Sequence, residues 1–255
     1  MQTTDNTILL TGGGSGIGRA LAEAFHRLGN QVIIAGRGQK SLDETTAANR
    51  GMKSLALDVA DPSGFESFAA NLTNNYPSLN VLINNAGIMQ PEDLLNKPRD
   101  LSVPERTIET NLLGPLRLTS ALLPHLQKQA RATIINVSSG LAFVPLAMTP
   151  TYCATKAAIH SYTQSLRYQL RSTNIEVIEL IPPYVQTTLM GEGQAEDPKA
   201  MPLSDFIEEV MSILQSQPQA KEICVKRVHP LRFAAEGGQE KYEQFFEQFN
   251  SSMHN

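Results

Sequence analysis

The sequence predicts an α/β fold: a doubly wound parallel sheet of about seven strands with helices on both faces, a three-layer sandwich. Short apolar runs alternate with segments of helical periodicity. This alternation is typical of a parallel sheet with right-handed crossovers. The first run ends in a glycine-rich turn that leads into a helix, and later runs end in small or polar residues. Ligands in such folds bind at the carboxyl ends of the strands, so these residues are expected at one edge of the sheet.

Seven apolar runs are the predicted strands: residues 7–11, 31–35, 53–57, 81–83, 132–137, 176–181 and 223–225. Helical spacing predicts helices over residues 17–28, 41–50, 62–72, 108–126, 150–171, 203–214 and 241–249. Residues 89–104 are rich in proline, and we expect them to be irregular and to lie at the rim of a pocket. Residues 191–202 are mixed polar and form a candidate lid.

Composition excludes several classes of function. The 255-residue chain has a formal charge of −4, so it lacks the basic surface that nucleic acids or anionic membranes attract. It has no apolar run of about 18 residues and no signal-peptide pattern. Its two cysteines, Cys153 and Cys224, suit a reducing compartment and form neither a disulfide framework nor a zinc-type cluster. We expect one cytoplasmic domain, residues 1–255, with a core over 7–228 and a C-terminal extension over 229–255.

The turn after the first predicted strand resembles a dinucleotide-binding loop. Gly12, Gly16 and Gly18 follow Thr11, and a helix begins in the same segment. Glycines let the backbone pass close to a pyrophosphate, whose negative charge lies at the N-terminus of the helix. The strict spacing G-x-G-x-x-G does not fit, so an ordinary glycine-rich turn is the alternative.

The residues after the second predicted strand bear on the choice of cofactor. In dinucleotide-binding folds an acidic residue near this position binds the ribose hydroxyls, whereas an arginine accommodates a 2′-phosphate. This chain has Gly36 and Arg37 there and no acid. Arg37 offers a planar fork to a phosphate, so we expect NADP rather than NAD; a solvated loop arginine is the alternative. Asp58, after the third strand, is a candidate either for the adenine amino group or for the cap of the next helix.

Tyr152 and Lys156 are spaced i, i+4 on a predicted helix that begins at Pro150, a residue suited to a first helical turn. Both side chains therefore leave one face of the helix. A fixed ammonium about 5 Å from a phenol, at an effective dielectric constant of about 20, lowers the pKa of the phenol by about two units. The pair is a candidate acid/base device, although the same spacing is common on solvated helices.

Two further motifs follow strand ends at the same edge, and a third interrupts a predicted helix. The segment Asn84-Asn85-Ala86-Gly87 follows the fourth strand, and its amides suit hydrogen bonds between strands beside a ligand. Ser139 follows the fifth strand, in a Ser-Ser-Gly sequence that is more often a simple turn. Pro115 lacks the N–H that would bond to the carbonyl of Asn111, so we expect a kink with a free acceptor for water. A bend that serves only core packing is an equal alternative.

Together these motifs resemble the short-chain dehydrogenase/reductase family over residues 7–228. The matching motifs are Thr11-Gly-Gly-Gly-Ser-Gly-Ile-Gly18, Asp58-Val59, Asn84-Asn-Ala-Gly87, Asn111, Ser139, Tyr152-x-x-x-Lys156 and Pro182-x-x-Val-x-Thr187. The resemblance implies a Rossmann fold and NAD(P)-dependent oxidoreduction. One departure is Pro183, where the family usually has glycine, because proline stiffens the backbone beside the nicotinamide. The chain also resembles a bacterial branch of the family that is sometimes linked with D-alanyl lipoteichoic acid genes.

The resemblance implies a role for each matching residue. Tyr152 would be the catalytic acid/base, Ser139 would polarise the substrate carbonyl, and Lys156 would hold the nicotinamide ribose and lower the tyrosine pKa. Asn111 would hold a proton-relay water through its main-chain carbonyl. Cofactor contacts are expected at Gly12, Ser15, Gly16, Ile17, Gly18, Arg37, Asp58, Val59, Asn85, Ala86, Gly87, Tyr152, Lys156, Pro182, Val185 and Thr187. Substrate contacts are expected at Ser139, Leu141, Phe143, Tyr152 and Tyr184, with Met148 and Met190 nearby; no metal is expected.

We therefore expect an NADP(H)-dependent oxidoreductase of the EC 1.1.1 type, which transfers hydride between nicotinamide and a small-molecule carbonyl or secondary alcohol. One alternative is a dinucleotide-binding redox sensor that seldom turns over, since such proteins keep the glycine turn and lose catalytic residues. Another is an interaction protein that docks through the aromatic helix at residues 242–249. The family resemblance also implies a homodimer or homotetramer.

Overall fold

The computed structural model describes residues 1–95 and 100–253. Its strands are β1 Thr7–Thr11, β2 Gln31–Gly36, β3 Lys53–Ala56, β4 Leu79–Asn84, β5 Ala132–Val137, β6 Ile175–Ile181 and β7 Glu222–Cys224. They form one sheet in the order β3-β2-β1-β4-β5-β6-β7, and each described pairing is parallel. The predicted α/β class and strands are confirmed, with ends that differ by about one or two residues.

The described residues form α-helices between and after these strands. They are α1 Gly16–Arg27, α2 Gln39–Ala48, α3 Phe65–Asn75, α4 Ser102–Ile108, α5 Gly114–Leu126, α6 Pro150–Gln169, α7 Glu192–Glu196, α8 Leu203–Ser216, α9 His229–Arg232 and α10 Gln239–Met253. The candidate lid at residues 191–202 therefore contains the short helix α7.

Two predicted boundaries are wrong. The third helix begins at Phe65 and not near Pro62, because the Asp61 carboxylate accepts hydrogen bonds from both the amide and the hydroxyl of Ser63 and closes a turn there. The irregular segment predicted over residues 89–104 ends earlier, since α4 begins at Ser102. Residues 96–99 of that segment lie outside the described part of the chain.

The strand order reverses at β1, which pairs with β2 on one side and with β4 on the other. Crossover helices cover both faces of the sheet, and each face has its own buried apolar cluster. One cluster contains Phe25 and Phe206, and the other contains Leu72 and Leu118. In such a sheet a crevice opens outside the carboxyl ends of the strands at the reversal point, which is where a ligand binds.

A π-helical turn, Glu109–Leu113, joins α4 to α5. The break in the helix that Pro115 predicts takes this form, in keeping with the frequent occurrence of π-turns at functional sites. Gly114 permits the close packing of the turn, because an added Cβ would lie 2.6 Å from the carbonyl oxygen of Val59. The proposed water at the Asn111 carbonyl stays a prediction.

The C-terminal helix α10 packs on its own chain. The Tyr242 hydroxyl donates to the carbonyl oxygen of Phe143 at 3.2 Å. Asn250 accepts from the amide of Ala147 at 2.7 Å and donates to the carbonyl of Pro145 at 3.1 Å. The aromatic helix predicted near residues 241–249 is thus present, longer than predicted, and fastened to the loop before α6. Among the described residues, no helix is both long and apolar enough to cross a membrane.

Candidate active site

A cavity of about 590 Å³ opens at the carboxyl edge of the sheet, where the strand order reverses. The predicted site residues that line it are Gly12, Ser15, Gly16, Ile17, Gly18, Asn85, Ala86, Gly87, Ser139, Leu141, Met148, Tyr152, Lys156, Pro182, Tyr184, Val185, Thr187 and Met190. They come from the glycine turn, the end of β4, the loop after β5, helix α6 and the segment after β6. One cavity therefore brings together most of the residues that the sequence singles out.

Phe143 lies behind the wall of this cavity, which corrects its expected substrate contact. Its ring packs edge-on against the imidazole of His160, with 4.6 Å between ring centroids, and the guanidinium of Arg232 lies 4.7 Å from the ring centre. The half-buried ring also packs against the apolar cluster around β6. Phe143 therefore supports the loop that carries Ser139 and does not face the cavity.

Arg37, Asp58 and Val59 lie at the next two strand ends and do not line the cavity. Arg37 is exposed in the loop after β2. The Asp58 carboxylate accepts a hydrogen bond from the amide of Ala60 at 3.0 Å, so it closes a local turn in this structure. Val59 is buried beside Gly114. Their expected contacts with the adenosine part of a cofactor remain proposals.

The glycine turn forms a cradle that larger side chains would fill. Gly12 and Gly16 have φ angles of +72° and +50°, in the left-handed region that favours glycine. A Cβ on Gly18 would lie 2.2 Å from the carbonyl oxygen of Gly12. The first amides of α1, which have no carbonyl partner within the helix, begin at this turn. The open backbone and the helix N-terminus fit the pyrophosphate of a dinucleotide.

Thr11 fastens the end of β1 to the end of β4. Its hydroxyl accepts from the amides of Asn85 and Ala86, both at 3.1 Å. The Asn85 side chain in turn donates to the carbonyl of Thr11 at 3.0 Å. The predicted hydrogen bonds between neighbouring strands are confirmed at this point, and they hold the floor of the cavity in place.

A row of buried hydrogen bonds between asparagine and threonine side chains fixes the sheet to α6. The Asn84 amide donates to the Asn136 side chain at 2.9 Å and to the Thr119 hydroxyl at 3.1 Å. Asn136 then donates to the hydroxyl of Thr163 on α6 at 2.9 Å. Because buried hydrogen bonds restrain the elements that they join, this network gives α6 a defined position above β4 and β5, although the Oδ1 atom of Asn84 has no partner among the described residues.

Helix α6 begins at Pro150 and is capped from a distant loop. The Glu92 carboxylate accepts from the Thr151 amide at 3.0 Å and from the Thr151 hydroxyl at 2.8 Å. A carboxylate at this end satisfies a free amide and complements the helix dipole. This cap places Tyr152 and Lys156, one turn apart, against the cavity, and both side chains are buried.

Lys156 is held by one backbone hydrogen bond. Its amine donates to the carbonyl of Val137 at 2.8 Å, and two of its three hydrogens are left for other acceptors. Burial lowers the pKa of Lys156 to about 8, and the negative charge of Glu179 opposes that change. The amine is thus close to its titration range at neutral to mildly basic pH.

The expected decrease in the pKa of Tyr152 is not found. Burial raises the pKa of this phenol well above its ordinary value, and the nearby Ser139 hydroxyl opposes the increase in part. The Lys156 amine lies 5.6 Å from the centre of the Tyr152 ring, within the range of a cation–π contact. In the ligand-free protein Tyr152 is therefore a neutral phenol, because its burial disfavours the phenolate.

Ser139 presents its hydroxyl at the start of a short 3₁₀ turn, Gly140–Ala142. Its oxygen accepts from the amide of Leu141 at 3.1 Å, and its own hydrogen therefore stays available to donate. The turn that the Ser-Ser-Gly sequence suggests is present. It serves to orient Ser139 toward the cavity that Tyr152 also lines.

Asn111 lies in the π-helical turn and contacts the segment after β4. Its side-chain NH₂ group donates to the backbone carbonyl of Ile88 at 2.8 Å, and its side-chain oxygen accepts from the backbone amide of Ile88 at 2.8 Å. A longer contact of 3.3 Å reaches the hydroxyl of Thr155 on α6. The side chain therefore braces the backbone beside Gly87 and Lys156.

Gln194 on α7 organises the segment after β6, a role that the sequence did not indicate. Its side-chain NH₂ group donates to the carbonyl of Val185 at 2.8 Å and to the hydroxyl of Thr187 at 3.1 Å. Its oxygen accepts from the amide of Met190 at 3.0 Å. The candidate lid is thereby tied to Thr187, which packs against the glycine turn at Gly16.

The part of the cavity wall next to Tyr152 is apolar, and sequence reasoning identified only some of its residues. Met89, Leu146 and Cys153 form a buried cluster with Tyr152. Partly buried apolar side chains that pack on this cluster are Leu141, Met148, Met190 and Phe249. Phe249 and its neighbour Ser252 line the cavity from α10. The C-terminal helix therefore contributes to the side of the cavity next to Tyr152.

Proteins of known family resemble this chain over most of its length. The family model described as short chain dehydrogenase matches residues 6–198. The Bacillus subtilis protein named uncharacterized oxidoreductase DltE is 41% identical over 254 residues, or 98% of this chain and 99% of that protein. The structure of a short-chain dehydrogenase from Streptomyces avermitilis is 25% identical, with a TM-score of 0.79 over 97% of this chain and 98% of that one. A short-chain dehydrogenase from Sphingobium yanoikuyae in complex with NADPH has the same identity, 25%, and TM-score, 0.79, over 94% of each chain.

Proposed function

Because the chain belongs to the short-chain dehydrogenase family, we propose that it reduces a small or medium-sized carbonyl compound with NADPH, or oxidises the corresponding secondary alcohol. Membership of the family supports NAD(P)-dependent oxidoreduction in general. The observation that carries the proposal is the cavity that Ser139, Tyr152 and Lys156 share with the glycine turn. A proton donor, a hydroxyl and a cation thus lie beside a dinucleotide cradle.

The residues of the cavity fit a nicotinamide dinucleotide. The glycine turn would hold the pyrophosphate, and the two free hydrogens of Lys156 would reach hydroxyls of the nicotinamide ribose. Thr187, fixed by Gln194, would contact the carboxamide. When bound, the nicotinamide supplies or accepts the hydride. The chain has to hold the carbonyl in place and move a proton to or from its oxygen.

Tyr152 is the proposed proton donor in the direction of reduction. Burial keeps its phenol protonated, so a proton is available when negative charge develops on the carbonyl oxygen. In the direction of oxidation the same residue has to accept a proton, and the nearby Lys156 cation would then stabilise the phenolate.

Ser139 is the proposed second donor to the carbonyl oxygen. Its oxygen is already engaged by the amide of Leu141, which fixes the hydroxyl without using its hydrogen. A fixed donor that points to the place where charge develops contributes more in the transition state than in the ground state.

Arg37 supports NADP as the preferred cofactor. It is exposed directly after β2, with no acidic residue at the end of that strand. A hydroxyl lies beside the glycine turn: a Cβ on Gly14 would be 2.5 Å from the Ser41 oxygen, and Ser41 lies in the first turn of α2. An arginine at this strand end, together with a hydroxyl and open backbone at the glycine turn, suits a 2′-phosphate. The similar Sphingobium yanoikuyae dehydrogenase was solved with NADPH, which is consistent with this choice.

The apolar wall supports a substrate with an apolar substituent next to the reacting carbonyl. Leu141, Leu146, Met148, Met190 and Phe249 surround the side of the cavity near Tyr152. A highly charged group at that place would lose its hydration without gaining an ion pair. The proposal also includes a cytoplasmic location and a homodimer or homotetramer, and light scattering of the purified protein tests the latter.

The proposal is tested with NADPH that carries deuterium in place of both hydrogens at C4, and with a panel of aliphatic and aromatic ketones and aldehydes. We expect mass spectrometry to detect alcohol with one deuterium on the former carbonyl carbon, and NADPH to be oxidised in equal amount. NADPH binding without deuterium transfer to any member of the panel would contradict the proposal and favour the redox sensor.

A further inference from the structure

A fully buried carboxylate, Glu179, lies behind the proposed catalytic residues. It is on β6, within the apolar run Val177-Ile-Glu-Leu-Ile181, and its side chain is 0% exposed. Burying a charged group is unfavourable unless the group is paired and hydrogen-bonded. The partners of Glu179 therefore indicate what it does.

Each oxygen of Glu179 has one close partner. The Ser138 hydroxyl donates to one oxygen at 2.5 Å, and the Nδ1 atom of His160 lies 2.8 Å from the other. Ser138 directly precedes Ser139. His160 follows Lys156 by four residues on α6, so the two side chains lie on the same face of that helix. Glu179 thus connects the strand end that carries Ser139 to the helix that carries Lys156.

The charged and titratable groups around Glu179 come from three elements: Lys156, His160 and Arg167 from α6, Glu222 and Cys224 from β7, and Arg232 from α9. Arg232 binds Glu222 through two hydrogen bonds of 2.8 and 3.0 Å. Tyr152 is the other titratable group that faces Lys156.

Ligand atoms of His160, Glu179 and Glu222 lie within 4.8 Å of one another, a spacing that a metal ion could also use. The guanidinium of Arg232 already occupies both oxygens of Glu222, however, and the Ser138 hydroxyl occupies one oxygen of Glu179. A bound cation would have to displace these partners against the charge of Arg232. The contacts therefore favour a network of side chains over a metal centre.

We infer that Glu179 is a positioning residue for the proposed reaction: its carboxylate fixes Ser138, and with it Ser139, and its negative charge stabilises the ammonium form of Lys156. The inference rests on the proposed function of Ser139 and Lys156. It assigns two effects to one side chain, the placement of a donor and the protonation of a buried cation, and each effect is tested by a different substitution.

The backbone around Ser138 supports the positioning effect. The Ser138 amide donates to the Leu180 carbonyl at 2.9 Å, and the Gly140 amide donates to the Pro182 carbonyl at 2.9 Å. The bond from Ser138 to Glu179 adds a side-chain tie between the same two strand ends. Ser139 lies between these anchored residues, so its hydroxyl has little freedom to leave the cavity.

The charge of Lys156 supports the electrostatic effect. Burial lowers the pKa of Lys156, and the Glu179 carboxylate acts in the opposite direction. Without that carboxylate the amine would lose its proton at lower pH, and the protein would lose the cation beside Tyr152.

Glu179→Gln keeps the shape of the side chain and removes its charge. With ¹³C-labelled lysine, the Cε resonance that is missing in Lys156→Met identifies Lys156 in the ligand-free protein. We expect this resonance to titrate at a pH roughly one unit lower in Glu179→Gln than in the wild type. Glu176→Gln is the matched control on the same strand, because that side chain is exposed and pairs with the N-terminus.

An identical titration of Lys156 in the wild type and in Glu179→Gln would overturn the electrostatic part of the inference. This measurement needs no turnover, so its result is independent of whether the protein reduces carbonyls. With an active carbonyl substrate, the basic limb of kcat/KM against pH should move to lower pH in Glu179→Gln. The pH at which NADPH affinity declines, measured by fluorescence without substrate, should move with it.

Ser138→Ala tests the positioning part, because it keeps the charge and removes the contact with Glu179. We expect kcat to fall by about tenfold, with the titration of Lys156 and the affinity for NADPH unchanged. Wild-type kcat in a folded Ser138→Ala protein would overturn this part, whether or not the Glu179 variant folds.

Discussion

The amine of Lys156 lies 5.6 Å from the centre of the Tyr152 ring, and both side chains are buried in one wall of the cavity. Burial shifts the two pKa values in opposite directions. The pKa of Lys156 falls to about 8, whereas the pKa of Tyr152 rises. The cation is thereby made easier to deprotonate and the phenol harder. Both shifts have consequences for stability and catalysis.

Lys156 should make the ligand-free protein more stable as the pH rises. The unfolded chain keeps the lysine proton up to about pH 10.5, but the folded protein releases it near pH 8. The unfolded state therefore binds more protons between these values, and the free energy of unfolding increases with pH there. Relative to Lys156→Met, we expect the wild type to gain about 3 kcal/mol across the window in urea denaturation.

The matched control is Lys40→Met, because the Lys40 side chain is 92% exposed. Its free energy of unfolding should run parallel to that of the wild type over the same pH range. If the difference in free energy of unfolding between the wild type and Lys156→Met stays constant with pH, burial does not lower the pKa of Lys156.

Gly18→Ala should abolish the cofactor cradle. The new Cβ would lie 2.2 Å from the carbonyl oxygen of Gly12, so the turn has to move. We expect the NADPH dissociation constant to rise by at least about tenfold and the free energy of unfolding to fall by about 2–4 kcal/mol. Fluorescence titration and urea denaturation measure the two effects.

Gly64→Ala serves as the comparison for Gly18→Ala. Gly64 precedes α3 with a φ of −94°, and an added Cβ would meet no atom within 4 Å. The Gly64→Ala variant should therefore bind NADPH with the affinity of the wild type. Normal NADPH binding by Gly18→Ala would mean that the cofactor does not approach this turn.

Arg37→Leu should reduce the preference for NADPH. Loss of a charged hydrogen bond to the 2′-phosphate should weaken NADPH binding by about tenfold or more and change NADH binding by less than about threefold. Arg50→Leu removes another exposed arginine between β2 and β3. It should leave the affinities for NADPH and NADH unchanged. An unaltered NADPH to NADH ratio in Arg37→Leu would remove the reason to favour NADP.

Asn250→Ala should loosen α10 from the loop at residues 145–147. Because that loop contains Leu146 of the apolar wall, we expect KM for a carbonyl substrate to rise by about three- to tenfold, with a smaller change in kcat. The free energy of unfolding should fall by about 1–3 kcal/mol, since two partly buried hydrogen bonds to that loop are lost. Gln248→Ala, at an exposed position of the same helix, is the control. An unchanged KM would indicate that the substrate does not reach this wall.

The parallel sheet and the cofactor side of the cavity could be predicted from local sequence patterns. Most strands of the sheet are short apolar runs, Gly12 and Asn85 directly follow strand ends, and Ser139 lies two residues beyond one. Residues at such ends meet at one edge of a parallel sheet whatever the details of packing. The positions of these side chains therefore follow from the order of the elements.

Other features depend on contacts between distant residues and left no local pattern. Asn250 contacts Ala147 and Pro145, more than one hundred positions earlier in the chain. Phe143 appeared suited to the cavity by its position after Ser139, but the packing of Arg232 from α9 draws its ring to the other side. The sign of the Tyr152 shift was wrong because burial, which depends on the whole fold, raises the pKa and outweighs the opposing hydrogen bond to Ser139.

Tyr152→Phe tests the central claim most directly, because it removes only the phenol oxygen from the buried wall. With a carbonyl substrate, we expect kcat to fall by at least about 100-fold, while the NADPH dissociation constant stays within about threefold of the wild type. Tyr168→Phe, at a position 67% exposed on the same helix, should retain full activity. Carbonyl reduction by Tyr152→Phe within about tenfold of the wild type, with NADPH still bound, would contradict the role of Tyr152 as the proton donor.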